Sequence, residues 1–359
     1  MSLSVDRAGM NRPTTEVFEM RKTIATLALA VLASACGKQD ITPDEARSAI
    51  PAASAIRIDT PKDSADASST AASPAALTAT TAADATFDAR FPAVTTSDYA
   101  RWSYVTAWTV NGGAWWTLAT IRFITLLPPT GCSGDTCTWG PWDEESKITA
   151  GLKVKRWQLV VTKVEEGKFR YELSAMNLVE PGPFLPIVSG VAEPAAAGRG
   201  KGELTVSFEN ARQLPESELR YGTLSLQYDT TAATRIDAQL VGSRDEQNGN
   251  PLDAAYAFVA TGAGGDLQVA FRGQDPAANP VGLSLHTRWD GTGSGRGDAR
   301  VFAEGVNGSW TFDYGASECW AGKAGAFALT YDTDPVFGDV SACAAAFQGE
   351  PQYSTLDVP

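Results

Sequence analysis

From Trp157 onward, large apolar residues fall on every second position. Trp157, Leu159 and Val161 alternate with polar neighbours, a Glu165-Glu166-Gly167 turn follows, and Phe169, Tyr171, Leu173 and Ala175 resume the pattern. That is the signature of a hairpin. The same period returns at Leu204/Val206/Phe208, Leu224/Leu226/Tyr228, Ile236/Ala238/Leu240, Ala254/Tyr256/Phe258 and Leu267/Val269/Phe271. It continues at Leu283/Leu285 up to Trp289, at Trp310/Phe312/Tyr314 and at Phe327/Leu329/Tyr331. Asn248-Gly249-Asn250-Pro251 and the Gly262 to Gly265 stretch supply turns between runs. One face of each run is aliphatic or aromatic and the other is Thr, Ser, Gln, Lys or Asp, as in an antiparallel sheet with one wetted face. Roughly ten such strands in succession predict a mainly β fold, a long meander forming a curved sheet, half-barrel or barrel. The runs are shorter than the ~9–11 residues of a membrane-spanning strand, which speaks against an outer-membrane barrel.

Ahead of Trp157 the pattern is different. Seven of the ten tryptophans lie between Trp102 and Trp157, together with Tyr104 and Phe123. Asn111 to Leu127 is apolar nearly all round, carries Arg122 as its one charge, and is stopped by Pro128-Pro129. This predicts one apolar helix near the start of the domain, lying in the concavity of the sheet. A membrane span is the weaker reading, since Arg122 alone costs ~3 kcal/mol at mid-bilayer. The folded domain is expected over residues 87–352, with 353–359 as a C-terminal tail. Trp102, Trp108, Trp115, Trp116, Trp139 and Trp142 are the candidate lining of an apolar cleft, against the simpler reading that they fill the core.

Further upstream, Met20 to Cys36 (MRKTIATLALAVLASAC) combines a basic start, a short apolar run and small residues ending on a cysteine. The run is too short to span ~30 Å of hydrocarbon and reads as a signal peptide over residues 20–35. Small-small-Cys resembles the bacterial lipobox, which implies acylation of Cys36 and a lasting membrane anchor. An ordinary secretory cleavage after Ala35 is the competing reading. Residues 1–19 hold Asp6, Glu16 and Glu19, out of place before an n-region, and are expected to be an extension ahead of the true start at Met20. Residues 36–86 open with a capped, Pro-started helical turn at Thr42 to Arg47. They then become so rich in Ala, Ser, Thr and Pro that a disordered tether is expected. Gly37, where an aspartate would signal inner-membrane retention, points to the outer membrane.

Charge narrows the partners. The whole chain carries −13. Removing residues 1–35 leaves 25 basic and 39 acidic residues, a balance that argues against nucleic acid and against docking on an anionic bilayer. The anchor on Cys36 is thus the expected membrane contact. Besides Cys36, the cysteines are Cys132, Cys137, Cys319 and Cys343. An even number in an exported chain predicts two disulfides, with the sequence-nearest pairs Cys132–Cys137 and Cys319–Cys343 favoured among the three pairings. A metal site is the poorer reading, because His286 is the one histidine and no C-x-x-C occurs. No cofactor is expected.

The catalytic candidates are thin. Arg296-Gly297-Asp298 spells an adhesion tripeptide but falls in a glycine-rich stretch that reads as a hairpin loop. His286 lies on the polar face of its strand, with no G-x-S-x-G elbow anywhere, and reads as a surface residue. Asp143, Glu144 and Glu145 follow Trp142 in the manner of glycosidase acids, yet adjacent acids are more often solvated charge.

Two short signatures remain: Trp139-Gly140-Pro141 after the Pro128 to Thr130 turn, and Ser317-Glu318-Cys319-Trp320 with the later Ser341-Ala342-Cys343. In these the chain resembles bacterial envelope lipoproteins of unknown function. The resemblance supports the Cys319–Cys343 pairing and implies no activity. The expected function is non-enzymatic binding of an apolar ligand or envelope component. A structural or surface-interaction protein with a solid core is the alternative, and an extracellular hydrolase ranks below both. The protein partner, if there is one, is not legible.

Overall fold

The alternation is realised as a single antiparallel sheet in which every strand pairs with its sequence neighbour. The computed structural model describes residues 40–52, 56–60, 96–195, 198–217, 220–244, 251–274, 279–305, 309–323 and 326–357. The strands are β1 (Gly131–Ser133), β2 (Thr136–Glu145), β3 (Lys153–Glu165), β4 (Lys168–Asn177), β5 (Leu185–Pro194), β6 (Gly200–Ser207), β7 (Thr223–Asp229) and β8 (Arg235–Arg244). They continue as β9 (Pro251–Thr261), β10 (Gly264–Gln274), β11 (Pro280–Trp289), β12 (Gly295–Glu304), β13 (Trp310–Lys323), β14 (Ala326–Thr333) and β15 (Val336–Phe337). The fifteen strands run in order from β1 to β15, and the sheet stays open rather than closing into a barrel. The roughly ten strands expected are joined by β1, β2, β5, β12 and β15.

Register sets one apolar face. A single inward row passes from Cys137 through Val161, Tyr171, Leu204, Leu226, Ala238, Tyr256, Val269 and Leu285 to Ala316, each residue opposite its neighbour or one strand beyond. The next inward row carries Phe169, Tyr228, Ile236, Phe258, Leu267, Thr287 and Glu318. In the first row the Tyr171 ring crosses onto the neighbouring strand, where a Cβ at Gly190 would lie 2.3 Å from its hydroxyl. Glycine there is what lets the tyrosine lie flat.

The apolar helix is α2 (Asp98–Leu126), following a short α1 (Pro43–Ser48); a one-turn α3 (Phe208–Ala211) follows β6. It begins thirteen residues earlier than the all-apolar stretch predicted, because Ser97 caps it by accepting from the Ala100 N–H and Asp98 suits its first turn. Pro128-Pro129 follow its end. Ala100, Ser103, Ala107, Val110, Leu118, Ile121 and Thr125 are buried at helical spacing. They face the sheet, with contacts to β11, β12 and β13. A Cβ at Gly297 would fall 2.7 Å from the Tyr99 Cβ, so the missing side chain admits the helix backbone. No helix among the described residues is long and apolar enough to cross a membrane.

The tether expectation is corrected over part of its length. Residues 40–52 and 56–60 are packed: Ile41, Ala46, Ala49, Ile50, Ile56 and Ile58 are buried in the main core. α1 is held by a full capping box between Thr42 and Glu45. Asn111 clamps the segment to the middle of α2, its amide accepting from the Ile58 N–H at 2.7 Å and donating to the Ile58 carbonyl at 2.7 Å. Each buried isoleucine contributes about 2 kcal/mol, which the Ala/Ser/Thr background masks in the sequence. Cys36, the signal peptide expected at 20–35 and the extension expected at 1–19 lie outside the described residues.

Both expected disulfides form, Cys132–Cys137 and Cys319–Cys343. The second ties the C-terminal segment across the outer face of β10–β13, and three of the sequence expectations are corrected there. Arg296-Gly297-Asp298 is not a loop but the start of β12, with Arg296 1 % and Asp298 0 % exposed. His286 is buried rather than solvated, its ring nitrogens facing the Gln352 carbonyl at 2.8 Å and the Asp266 carboxylate at 2.9 Å. Residues 353–357 are no loose tail, since the Gln268 side chain accepts from the Thr355 N–H. Asp298 sits at the centre, accepting from Arg296, Arg288, the Ser317 hydroxyl and the Gln352 N–H. The Arg296 guanidinium also donates to the Phe347 and Gly349 carbonyls.

Arg296→Met leaves Asp298 buried with half its ionic support and frees two carbonyls of the strap. We expect a loss of about 3 kcal/mol or more in urea unfolding, with amide exchange accelerated first at Gln352. A stability within 1 kcal/mol of wild type (roughly the scale of an exposed pair) would show that the cluster does not hold the strap.

Candidate functional site

The concave face is filled by the chain itself, and one described opening lies beside that filling. Residues 47–52, from the end of α1 onward, the last turn of α2 and the neighbouring ends of β5, β6 and β7 enclose a cleft of about 330 Å³. This is the lower end of the roughly 300–1,000 Å³ seen for small-ligand sites. Its walls are Ile50, Pro51, Ala52, Leu126, Ala192, Pro194 and Tyr228, with Arg47, Arg122 and Arg199 among them and no carboxylate. Arg47 is structural: its Nε donates to the Thr125 carbonyl at 2.6 Å, satisfying the C-terminal turn of α2, and it pairs with Asp44. Arg122 and Arg199 are exposed, and neither has a side-chain partner among the described residues. Tyr228 is 5 % exposed, and burial raises its phenol well above the ordinary tyrosine range, so it presents a neutral hydroxyl.

Of the tryptophans proposed as a cleft, the three whose side chains are described, Trp102, Trp139 and Trp142, are not gathered into one. Trp102, half exposed, stacks on Phe271 of β10 at 5.8 Å, near the start of α2. Trp139 is 2 % exposed, and its indole N–H donates to the Leu127 carbonyl at the other end. Some 25 helical residues separate these points, about 37 Å of helix. Trp142 is partly buried and pairs across strands with Trp157. Trp108, Trp115 and Trp116 lie in α2, with side chains outside the described residues. Core packing accounts for Trp139.

The three acids after Trp142 are each engaged across β2–β3. Asp143 pairs with Arg156, Glu144 with Lys155 and the Trp157 indole, and Glu145 with Lys153. Asp143 and Glu145 are held below the usual carboxylate range, first by their hydrogen bonds to Arg156 and Lys153. That is the opposite of what a general acid requires. Among the described residues, no group of three or more His, Cys, Asp or Glu is placed to hold a metal.

One carboxyl is perturbed upward. Glu318 of β13 points inward at the start of α2, accepting from the Ser97 hydroxyl at 2.6 Å and the Tyr99 N–H at 3.1 Å. Burial pushes it up to about 7, against the pull of those two donors and with help from Asp332 and Asp98. Its contacts are those of a helix anchor. Glu318 lies inside the Ser317-Glu318-Cys319-Trp320 signature, so sequence marked the residue without its role. Of the cleft arginines, Arg122 alone was visible, as a charge in an apolar stretch. Comparison with protein-family models, with curated proteins and with solved structures found no match for this chain.

Because Glu318 titrates near 7 in the fold and near 4.5 when unfolded, the folded state keeps a proton that the unfolded chain gives up across that window. Stability therefore falls as pH rises from about 4.5 to 7, by roughly 3 kcal/mol from this group. Glu318→Gln should flatten that part of the profile in denaturant unfolding at pH 5 and pH 8. If the variant and wild type fall in parallel, Glu318 is not the group responsible.

Proposed function

We propose that this chain is a membrane-anchored, non-enzymatic binding protein of the bacterial cell envelope, whose cleft beside α1 and α2 takes an apolar ligand. The cleft carries the reading: a concavity of about 330 Å³ walled by aliphatic side chains and bounded by backbone that α1 and the β5–β7 ends hold in place. Much of the remaining concave face is occupied by α2 and by residues 41–52 and 56–58, which leaves this opening beside them. The Met20 to Cys36 sequence supports acylation at Cys36, and Gly37 after it supports residence at the outer membrane. Non-enzymatic action is supported by the ion-paired state of Asp143, Glu144 and Glu145 and by the locking of His286 between Asp266 and Gln352. A second reading, an interaction protein with a solid core, is favoured by the exposure of Trp102, Phe312 and Tyr314.

The test is native mass spectrometry with lipid extraction on the exported full chain carrying Cys36→Ser. A co-purifying apolar molecule, lost when Ala192→Trp fills the cleft, is expected. A clean apo mass, with no binding of added acyl compounds, would leave the interaction reading in possession. Wild-type chain should sediment with membranes, and Cys36→Ser should move it to the soluble fraction; unchanged partitioning would remove the anchor.

A further inference from the structure

The walls of the cleft carry more than apolarity. In a chain of net charge −13, three arginines and no acid line this one opening. Elsewhere on the sheet many bases are matched: Lys168 and Lys201 share Glu193, Arg156 holds Asp143, and Arg235 holds Asp237. Arg122 and Arg199 are left without side-chain partners among the described residues, and they come from separate places, the end of α2 and the residue just before β6. Tyr228, nine-tenths buried on the same wall, has a hydroxyl with no hydrogen-bond partner among the described residues.

We propose that the cleft binds an anionic amphiphile, its carboxylate or phosphate held by Arg122 and Arg199 with a hydrogen bond from Tyr228, and the start of its chain lying against Ile50, Ala192 and Leu126. Arginine suits this role because its planar fork binds carboxylate and phosphate oxygens in pairs and is less strongly hydrated than an ammonium. Each methylene buried adds ~0.8 kcal/mol, so head and chain bind together more tightly than either alone. Arg47 keeps the end of α2 in place and is not part of the head-group claw. This inference rests on the apolar cleft proposed above and adds the charge of what enters it.

Calorimetric titration of the Cys36→Ser full chain with decanoate, decanol and inorganic phosphate separates the possibilities. Decanoate is expected to bind about tenfold tighter than decanol. Arg122→Gln and Arg199→Gln should each weaken decanoate by a similar factor while leaving decanol unchanged. Both arginines are exposed, and an unaltered thermal midpoint verifies that each variant folds. Equal affinity for decanoate and decanol would overturn the anionic inference and leave the apolar cleft standing. Phosphate binding as tightly as decanoate would overturn the amphiphile in favour of a plain anion site, such as one for free phosphate. Failure of decanoate and decanol alike would remove the cleft reading itself.

Discussion

A sheet of fifteen strands with one apolar face cannot leave that face in water, and most of this structure follows from covering it. The face is built of continuous rows, so no single side chain can be removed from the problem. The chain solves it from within by laying α2 across the rows and wedging residues 41–52 and 56–58 alongside. Apolar contact supplies the drive but no direction. Direction comes from polar bonds spaced along the helix. Glu318 takes Ser97 and Tyr99 at its start, Ser103 meets Thr287 one turn on, Asn111 holds Ile58 at the middle, and Arg47 and Trp139 close on Thr125 and Leu127 at the end. Each fixes a register that grease alone would leave sliding.

The last strands are covered twice. α2 lies on the inner face of β11–β13, while the segment from Cys343 onward lies on the outer face. Period-two alternation then stops meaning inside and outside, because both sides are dry. Inner positions are met by Thr287 and Glu318 and outer ones by His286, Arg296, Asp298 and Ser317, all buried. Such groups persist only when hydrogen-bonded, and Asp298 with four donors is the extreme case. In β3–β8 the outer face stays wet and carries surface ion pairs, which contribute little to stability.

This difference explains what could be read from sequence. Alternation from Trp157 to Tyr331 identified the sheet, since each strand there has at least one solvated or one apolar side. β12 was missed because Gly295 and Gly297 mimic a turn, whereas they are small to admit Trp320 and Tyr99. His286 was placed on the correct face, but the strap that buries it comes from 66 residues later, a distance that no local pattern encodes. Residues 41–58 were hidden for another reason. Their four isoleucines are diluted among small residues, and a core contribution made by isolated side chains has no period. The capping box at Thr42 and Glu45 was the available sign that this stretch is more than linker.

The cleft arises from the same dilution. Where residues 47–52 cross the ends of β5 and β6, the facing positions are Ala49, Ala52, Ala192, Ala195, Gly198 and Gly200. Small side chains on both walls cannot meet across the gap, so space remains although the rest of the concavity is filled. Gly198, at φ 73°, and Gly200, whose added Cβ would fall 2.5 Å from the Glu193 carbonyl oxygen, are set by the backbone. Larger residues at Ala52 and Ala195, however, would narrow the opening without touching the sheet register, and dispersion would be gained by doing so. An opening kept free of both bulk and acid, in a chain otherwise crowded with acids, has a cost in packing and electrostatics that folding alone does not require. That cost falls beside Arg122 and Arg199, the two cleft side chains that no fold contact employs, and it is there that binding gives the arrangement a purpose.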